Sequence, residues 1–246
     1  MRIKLVISYD GTNYCGWQRQ KNGVSVQETL ESALYELTKE SVTVTASGRT
    51  DAGVHAQGQV VHFDTESSIP HDKFYLALNP FLPKDVKALS SERVDEQFNA
   101  RKSAKKKTYA YEFYISEVEL PLKERYAERL ERAPNFVLME KATQLFIGER
   151  DFKAFCATGS SVKTTVRTIY SIDVIKKDEG FTINLTGSGF LYNMVRIIAG
   201  VLLDVGLGKK SEQDIISAFN TGKRETLGKT LPAKALTLKK VDYDEN

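Results

Sequence analysis

Residues 2–9 alternate, with Ile3, Leu5, Ile7 and Tyr9 on one side and Arg2, Lys4, Val6 and Ser8 on the other. A period of two predicts a strand with one buried face. The period then lengthens. Val26, Leu30, Ala33, Leu34 and Leu37 recur at helical spacing, with Ser25 and Glu28 spaced as a capping box, so a helix is expected over 26–39. Val42, Val44 and Ala46 alternate with Thr43, Thr45 and Ser47 just before residues 48–55, and Gln59-Val60-Val61-His62-Phe63 follows. Both flanks read as strands. A short helix near 72–79 closes the first half.

The second half opens with a strand from Lys105 to Ser116. A helix near 139–147 and strands near 165–176 and 180–186 follow. A longer helix is expected over about 190–205, with Met194, Ile197, Ile198, Val201 and Leu202 on one stripe and Gly206 at its end. Ser211 caps a helix to about 220, and Leu236 to Tyr243 is the last strand. Several strands adjoin with no helix between them. That argues for an α+β fold with mixed or antiparallel sheets, not a doubly wound parallel sheet. The chain divides into two similar halves, 1–100 and 101–246, with the linker within 97–106.

Composition narrows the class. A chain of 246 residues with 41% hydrophobic and 27% charged residues suits an ordinary globule with a real core. No apolar run approaches the roughly 20 residues that span a bilayer. The first residues enter a strand and do not resemble a signal peptide. Cys15 and Cys156 have no metal-type spacing, and free thiols in a reducing cytosol are expected. Three histidines, with no Cys or carboxylate spacing around His55 and His62, give no zinc or iron site. Neither a Walker loop nor a dinucleotide fingerprint is present.

A net charge of +3 is modest, but its distribution is uneven. Arg101, Lys102, Lys105, Lys106 and Lys107 are followed at once by Tyr109, Tyr111, Phe113 and Tyr114. Cations interleaved with aromatics suit a nucleic acid, through phosphate contacts and base stacking. The competing reading is a charged strand entry with a buried aromatic face.

Residues 48–55 read Gly48-Arg49-Thr50-Asp51-Ala52-Gly53-Val54-His55. This glycine-bounded turn between two strands carries one arginine and one carboxylate, and scaffolds tend to place chemistry on such turns. The plain alternative is a hairpin tip with a turn aspartate. The stretch resembles the catalytic motif of the tRNA pseudouridine synthases of the A type, matching all its fixed positions. Other features of that family follow in order: Ser8-Tyr9-Asp10-Gly11-Thr12, Gly16-Trp17-Gln18, Phe98-Asn99-Ala100-Arg101, Lys107-Thr108-Tyr109-Ala110-Tyr111, and the run from Gly189 to Arg196.

The resemblance implies a pseudouridine synthase fold, two related halves sharing a central sheet with the active cleft between them. It implies a cytoplasmic enzyme, usually a homodimer, acting without a cofactor on uridines 38, 39 and 40 of the tRNA anticodon arm. Asp51 is then the indispensable carboxylate, acting as nucleophile, as oxocarbenium stabiliser or as base on the ribose. Arg196 would pair with it, lower its pKa and fix its orientation. Tyr109 would stack on the uracil and handle the C5 proton, with Tyr111 as support. Arg49 would fill the space left by the flipped base. Leu236, in Pro232-Ala233-Lys234-Ala235-Leu236, resembles a residue lining the uracil pocket, although Ala235 replaces the usual glycine. His55 would hold the turn by a hydrogen bond, and Trp17 reads as a core anchor. Two other classes stay open on residues alone. One is a non-catalytic RNA-binding or tRNA-folding module on the same scaffold. The other is a metal-dependent RNA hydrolase using Asp51 and His55.

Overall fold

The alternation of residues 2–9 becomes a strand, β1 (Arg2–Tyr9), with Ile3, Leu5, Ile7 and Tyr9 all buried. The computed structural model describes residues 1–159 and 162–243. After β1 come α1 (Val26–Thr38), β2 (Thr45–Ala46), β3 (His55–Asp64), α2 (Phe74–Leu78), β4 (Val86–Val94), β5 (Lys106–Ile115), α3 (Pro121–Glu124) and β6 (Glu128–Leu130). Then follow α4 (Phe136–Thr143), β7 (Gly148–Asp151), β8 (Val166–Lys177), β9 (Gly180–Gly187), α5 (Met194–Gly206), α6 (Glu212–Thr221) and β10 (Leu236–Asp242). The fold is α+β, and the chain forms two compact units. One is Met1–Lys105 with the segment from Thr237 onward; the other is Lys106–Leu236.

In the first unit β1 pairs antiparallel with β3 on one side and with β4 on the other. The far edge of β3 is shared. Near its end β2 pairs antiparallel, Thr45 with His62 and Ala46 with Val61. Near its start β10 pairs parallel, Thr237 with His55 and Leu238 with Ala56, so the sheet is mixed. α1 buries Val26, Leu30, Ala33 and Leu34, is capped by the Ser25 hydroxyl accepting the Glu28 N–H, and ends at Lys39 in the left-handed region. β4 has no counterpart in the hydrophobic pattern. Its Leu89-Ser90-Ser91-Glu92-Arg93 run is mostly polar, and it lies at the end of the strand order, where one edge needs no partner.

In the second unit β5, β9, β8 and β7 pair antiparallel in that order, and β6 joins β5 in parallel. α5 packs on β5, and α4 on β8. α5 buries nearly every side chain, with Arg196 and Asp204 the partly exposed exceptions. Its end differs from expectation. Gly206 is the last helical residue, while the left-handed residue is Gly208 at φ +73°. A Cβ on Gly206 would lie 2.7 Å from Met139 Cγ, so Gly206 serves the close approach of α4. The remaining expected elements are present within a few residues: β5, β8, β9 and α6, the last with a complete Ser211–Asp214 capping box.

Candidate active site

The turn at 48–54 is fastened from both flanks. Gln59 is fully buried in β3; its amide donates to the Gly48 carbonyl at 2.9 Å, and its carbonyl accepts from Ser47 Oγ at 2.6 Å. Thr50 is held twice: its hydroxyl lies 2.8 Å from the Tyr9 hydroxyl, and its carbonyl accepts the Trp17 N–H at 3.0 Å. The Val54 N–H donates to the Asp51 carbonyl at 3.1 Å, across Gly53 at φ +78°. Burial pushes the Tyr9 phenol up to about 12, partly offset by hydrogen bonds from Thr50 and Gln59, so it stays protonated.

The opening of the chain interlocks with this turn. A Cβ on Gly11 would fall 2.0 Å from the Val54 carbonyl oxygen. Gly16 has φ +106°, and a Cβ there would sit 2.8 Å from the Thr50 oxygen. Only glycine allows both the left-handed angle and the approach. Trp17 is buried and extends the clasp, its carbonyl accepting the Gln27 N–H as α1 begins. The result is a rigid loop with Asp51 half-buried and Arg49 exposed.

Both histidines beside this region have structural partners. His55 Nδ1 accepts the Gly11 N–H at 3.0 Å and lies 3.1 Å from Asp10 Oδ1. The turn-holding role expected of His55 is therefore present. His62 Nδ1 accepts the Ala100 N–H at 3.1 Å, and burial lowers its pKa. Among the described residues no three His, Cys, Asp or Glu side chains are grouped to hold a metal ion. Cys15 and Cys156 are free thiols.

The remaining candidate residues lie in the second unit and its boundary. Tyr109 on β5 is 8% exposed and meets Phe190 edge to face, with ring centres 5.2 Å apart. Tyr111 is fully buried and donates its hydroxyl to the Pro232 carbonyl at 2.9 Å. Burial, more than the nearby Glu128 carboxylate, pushes its phenol above the ordinary tyrosine range, which keeps the proton on the donor. Arg196 stands in the first turn of α5. Its Nε donates to the Leu231 carbonyl at 2.6 Å, and a terminal nitrogen donates to Asn193 Oδ1 at 2.7 Å. Asn193, left-handed at φ +59°, starts the helix. This guanidinium is built into the unit and does not snorkel to the surface. Leu236 is 5% exposed and follows a 3-10 turn over Ala233–Ala235. Ala235 is itself fully buried.

Two members of the basic cluster, Lys106 and Lys107, are neighbours on β5. On β5 successive side chains point to opposite faces, so Lys107 shares the Tyr109 face while Lys106 faces away. Lys106 Nζ lies 5.7 Å above the half-exposed Tyr170 ring. Arg101, Lys102 and Lys105 are exposed. Arg101 and Lys102 sit on a turn whose N–H groups Asn99 Oδ1 accepts, each at 3.0 Å.

Sequence reasoning missed Gln59, Asn193 and Lys234. A buried amide inside an apolar strand run was the available signal for Gln59. Asn193 and Lys234 lie inside the two family-like runs, 189–196 and 232–236, but are given no role there.

The family model described as tRNA pseudouridine synthase matches residues 5–101 and 142–244. A tRNA pseudouridine synthase A of Ruminiclostridium cellulolyticum is 48% identical over 243 residues, covering 98% of this chain and 99% of that protein. The protein of the same name from Bacillus subtilis is 45% identical over 246 residues, covering 99% and 100%. The one from Acetivibrio thermocellus is 45% identical over 241 residues, covering 98% and 99%. The chain belongs to the tRNA pseudouridine synthase family, and is an isomerase of that family.

Proposed function

We propose that this protein converts uridine to pseudouridine in the anticodon stem-loop of tRNA, at positions 38, 39 and 40, with Asp51 as the essential carboxylate. The bond from C1′ to N1 breaks, a bond from C1′ to C5 forms, N1 gains a proton and C5 loses one. The reaction is redox neutral and calls for no cofactor. The observation that carries this reading is the Asp51 turn, a half-buried carboxylate on a loop held by hydrogen bonds at Gly48, Thr50 and Val54 and by the close approach of Gly11 and Gly16. A group held in advance of the substrate costs no reorganisation when charge develops at C1′. Arg196 is proposed to orient Asp51 and keep it ionised. Tyr109 is proposed to stack on the uracil and take the C5 proton, and Leu236 to line the uracil pocket. Arg49 is proposed to occupy the space of the extruded base.

Phosphate binding is assigned to Arg101, Lys105, Lys106 and Lys107. Neutralising the three lysines would flatten the fall of log affinity with log salt, by somewhat under one unit for each phosphate left without its cation. An unchanged slope in filter binding would move the RNA track elsewhere. The same reading makes the protein a cytoplasmic homodimer, which equilibrium sedimentation checks.

The central experiment maps pseudouridine in an unmodified tRNA transcript, in EDTA, with wild type and Asp51→Asn. The amide keeps the shape but is neither nucleophile nor base. The expected result is product with wild type and a loss on the order of 10³-fold or more with the variant, at little-changed tRNA affinity. No wild-type product would favour a non-catalytic tRNA-binding module. Near wild-type turnover by Asp51→Asn would remove Asp51 from the chemistry.

A further inference from the structure

Residues 116–131 fall outside the two stretches matched by the family model. They form a small strap: Ser116 N–H donates to the Leu130 carbonyl, α3 lies in the middle, and β6 returns alongside β5. Tyr114 ties the strap to β5. Its hydroxyl accepts the Leu120 N–H at 3.3 Å and donates to Glu124 Oε2 at 2.7 Å. The other Glu124 oxygen pairs with Lys234 Nζ, and Glu128 Oε2 lies 3.9 Å from the same ammonium. The Lys234 hydrogen bond, followed by that of Tyr114, holds the Glu124 carboxyl below its usual range.

Lys234 is a member of a short, heavily tethered segment, 231–236. Arg196 Nε takes the Leu231 carbonyl, Tyr111 takes the next carbonyl at Pro232, and Lys234 takes Glu124. α5 closes on the same segment: a Cβ on Gly200 would sit 3.0 Å from the Lys229 oxygen and 3.3 Å from Leu231 Cγ. Of the residues given roles above, Arg196 therefore binds one end of this run of six residues, at the Leu231 carbonyl, and Leu236 is its other end. Whatever fixes the middle of that run fixes both ends.

We infer that the strap is a positioning element for the isomerisation, and that the Glu124–Lys234 ion pair is the joint through which it sets Leu236 and the carbonyl that orients Arg196. This rests on the reading that Arg196 and Leu236 serve the uridine. Neither Glu124 nor Lys234 touches the base; both act through the segment. Misplacing a substrate-facing group by about 1 Å can cost on the order of 100-fold in rate, so a slackened tether is expected to cost about ten-fold. The pair is about one-third exposed on each side, so it adds little to stability.

The test is single-turnover pseudouridine formation on a tRNA transcript at saturating enzyme, with tRNA Kd and Tm measured in parallel. The variants are Glu124→Gln, Lys234→Met, the exchanged pair Glu124→Lys with Lys234→Glu, and Leu236→Ala. The two single variants should lose rate about ten-fold at unchanged Kd and Tm, and the exchanged pair should recover part of it, since a lysine at 124 cannot accept from the Tyr114 hydroxyl and a glutamate at 234 would face Glu128. A structural role alone would lower Tm and leave the rate at saturation intact. If Leu236→Ala is slow while both single variants match wild type, the inference is overturned and the pocket reading stands. If Leu236→Ala matches wild type, the pocket reading falls, and the inference with it.

Discussion

The Asp51 turn and the Arg196 region are held in different ways. Around Asp51 main chain presses on main chain at the glycines 11 and 16, and the Trp17 and Val54 N–H bonds are joined by side-chain bonds from Gln59, Tyr9 and His55. Around Arg196 the fastening is side chain to backbone, from Tyr111 and Arg196 onto a segment 121 and 35 residues further along, respectively. A site with such close main-chain approach tolerates almost no added volume. In a site held by side-chain tethers, each tether is replaceable and the effect of removing it is partial.

Gly11→Ala should break the first region outright. The new methyl would occupy the place of the Val54 carbonyl, which is backbone and cannot swing aside. A loss of at least about 3 kcal/mol in unfolding free energy, with activity lost alongside, is expected from denaturant titration. Wild-type stability would show that the turn is far softer than its close packing suggests. Arg196→Met comes next. It leaves the Leu231 carbonyl without this donor and removes the charge, at about 1–3 kcal/mol and a large loss of rate. Arg196→Lys should restore part of the rate, keeping charge without the planar fork. Equal rates for Met and Arg at neutral pH would end the ion-pair role.

Tyr111→Phe should be milder. It removes one hydrogen bond to Pro232 and keeps the ring, costing about 1 kcal/mol and a modest fraction of the rate. A loss as severe as that of Gly11→Ala would dissolve the contrast between the two regions. The smallest effect concerns His62. Its folded-state pKa is depressed, chiefly by burial, so below the unfolded value of about 6.5 the unfolded chain binds the proton more readily. Stability is thus full above that pH and declines as pH falls toward the folded value. His62→Asn should flatten the decline between pH 7 and 5, and an unaltered slope would assign it to other groups.

The same contrast explains what was legible in the sequence. The turn was visible because its determinants are contiguous or close: residues 48–55, with Gly11, Gly16 and Trp17 in a short stretch upstream. β1, α1 and α5 were legible because one face or all faces are apolar. β4 was not, since an edge strand with a polar run has no obligatory alternation. Gly206 was read as a helix stop, whereas its meaning lies in Met139 and Pro134, on a neighbouring element that periodicity cannot reveal. The tethers on 231–236 were equally hidden. Glu124 and Lys234 look like ordinary surface charges, and only the fold brings them together.

The placement of β10 also orders events in time. β3, which begins at the last residue of the Asp51 motif, receives its parallel neighbour from Thr237 and Leu238. The backbone at Lys239 passes so near Gly58 that a Cβ there would lie 2.7 Å from its carbonyl oxygen. During synthesis from the N-terminus, the whole of Lys106–Leu236 is made before that neighbour exists. A nascent chain carries the whole Asp51 motif early, yet the start of β3 behind it waits for its parallel neighbour until Thr237 and Leu238 are made. By then every proposed catalytic side chain is already in the chain.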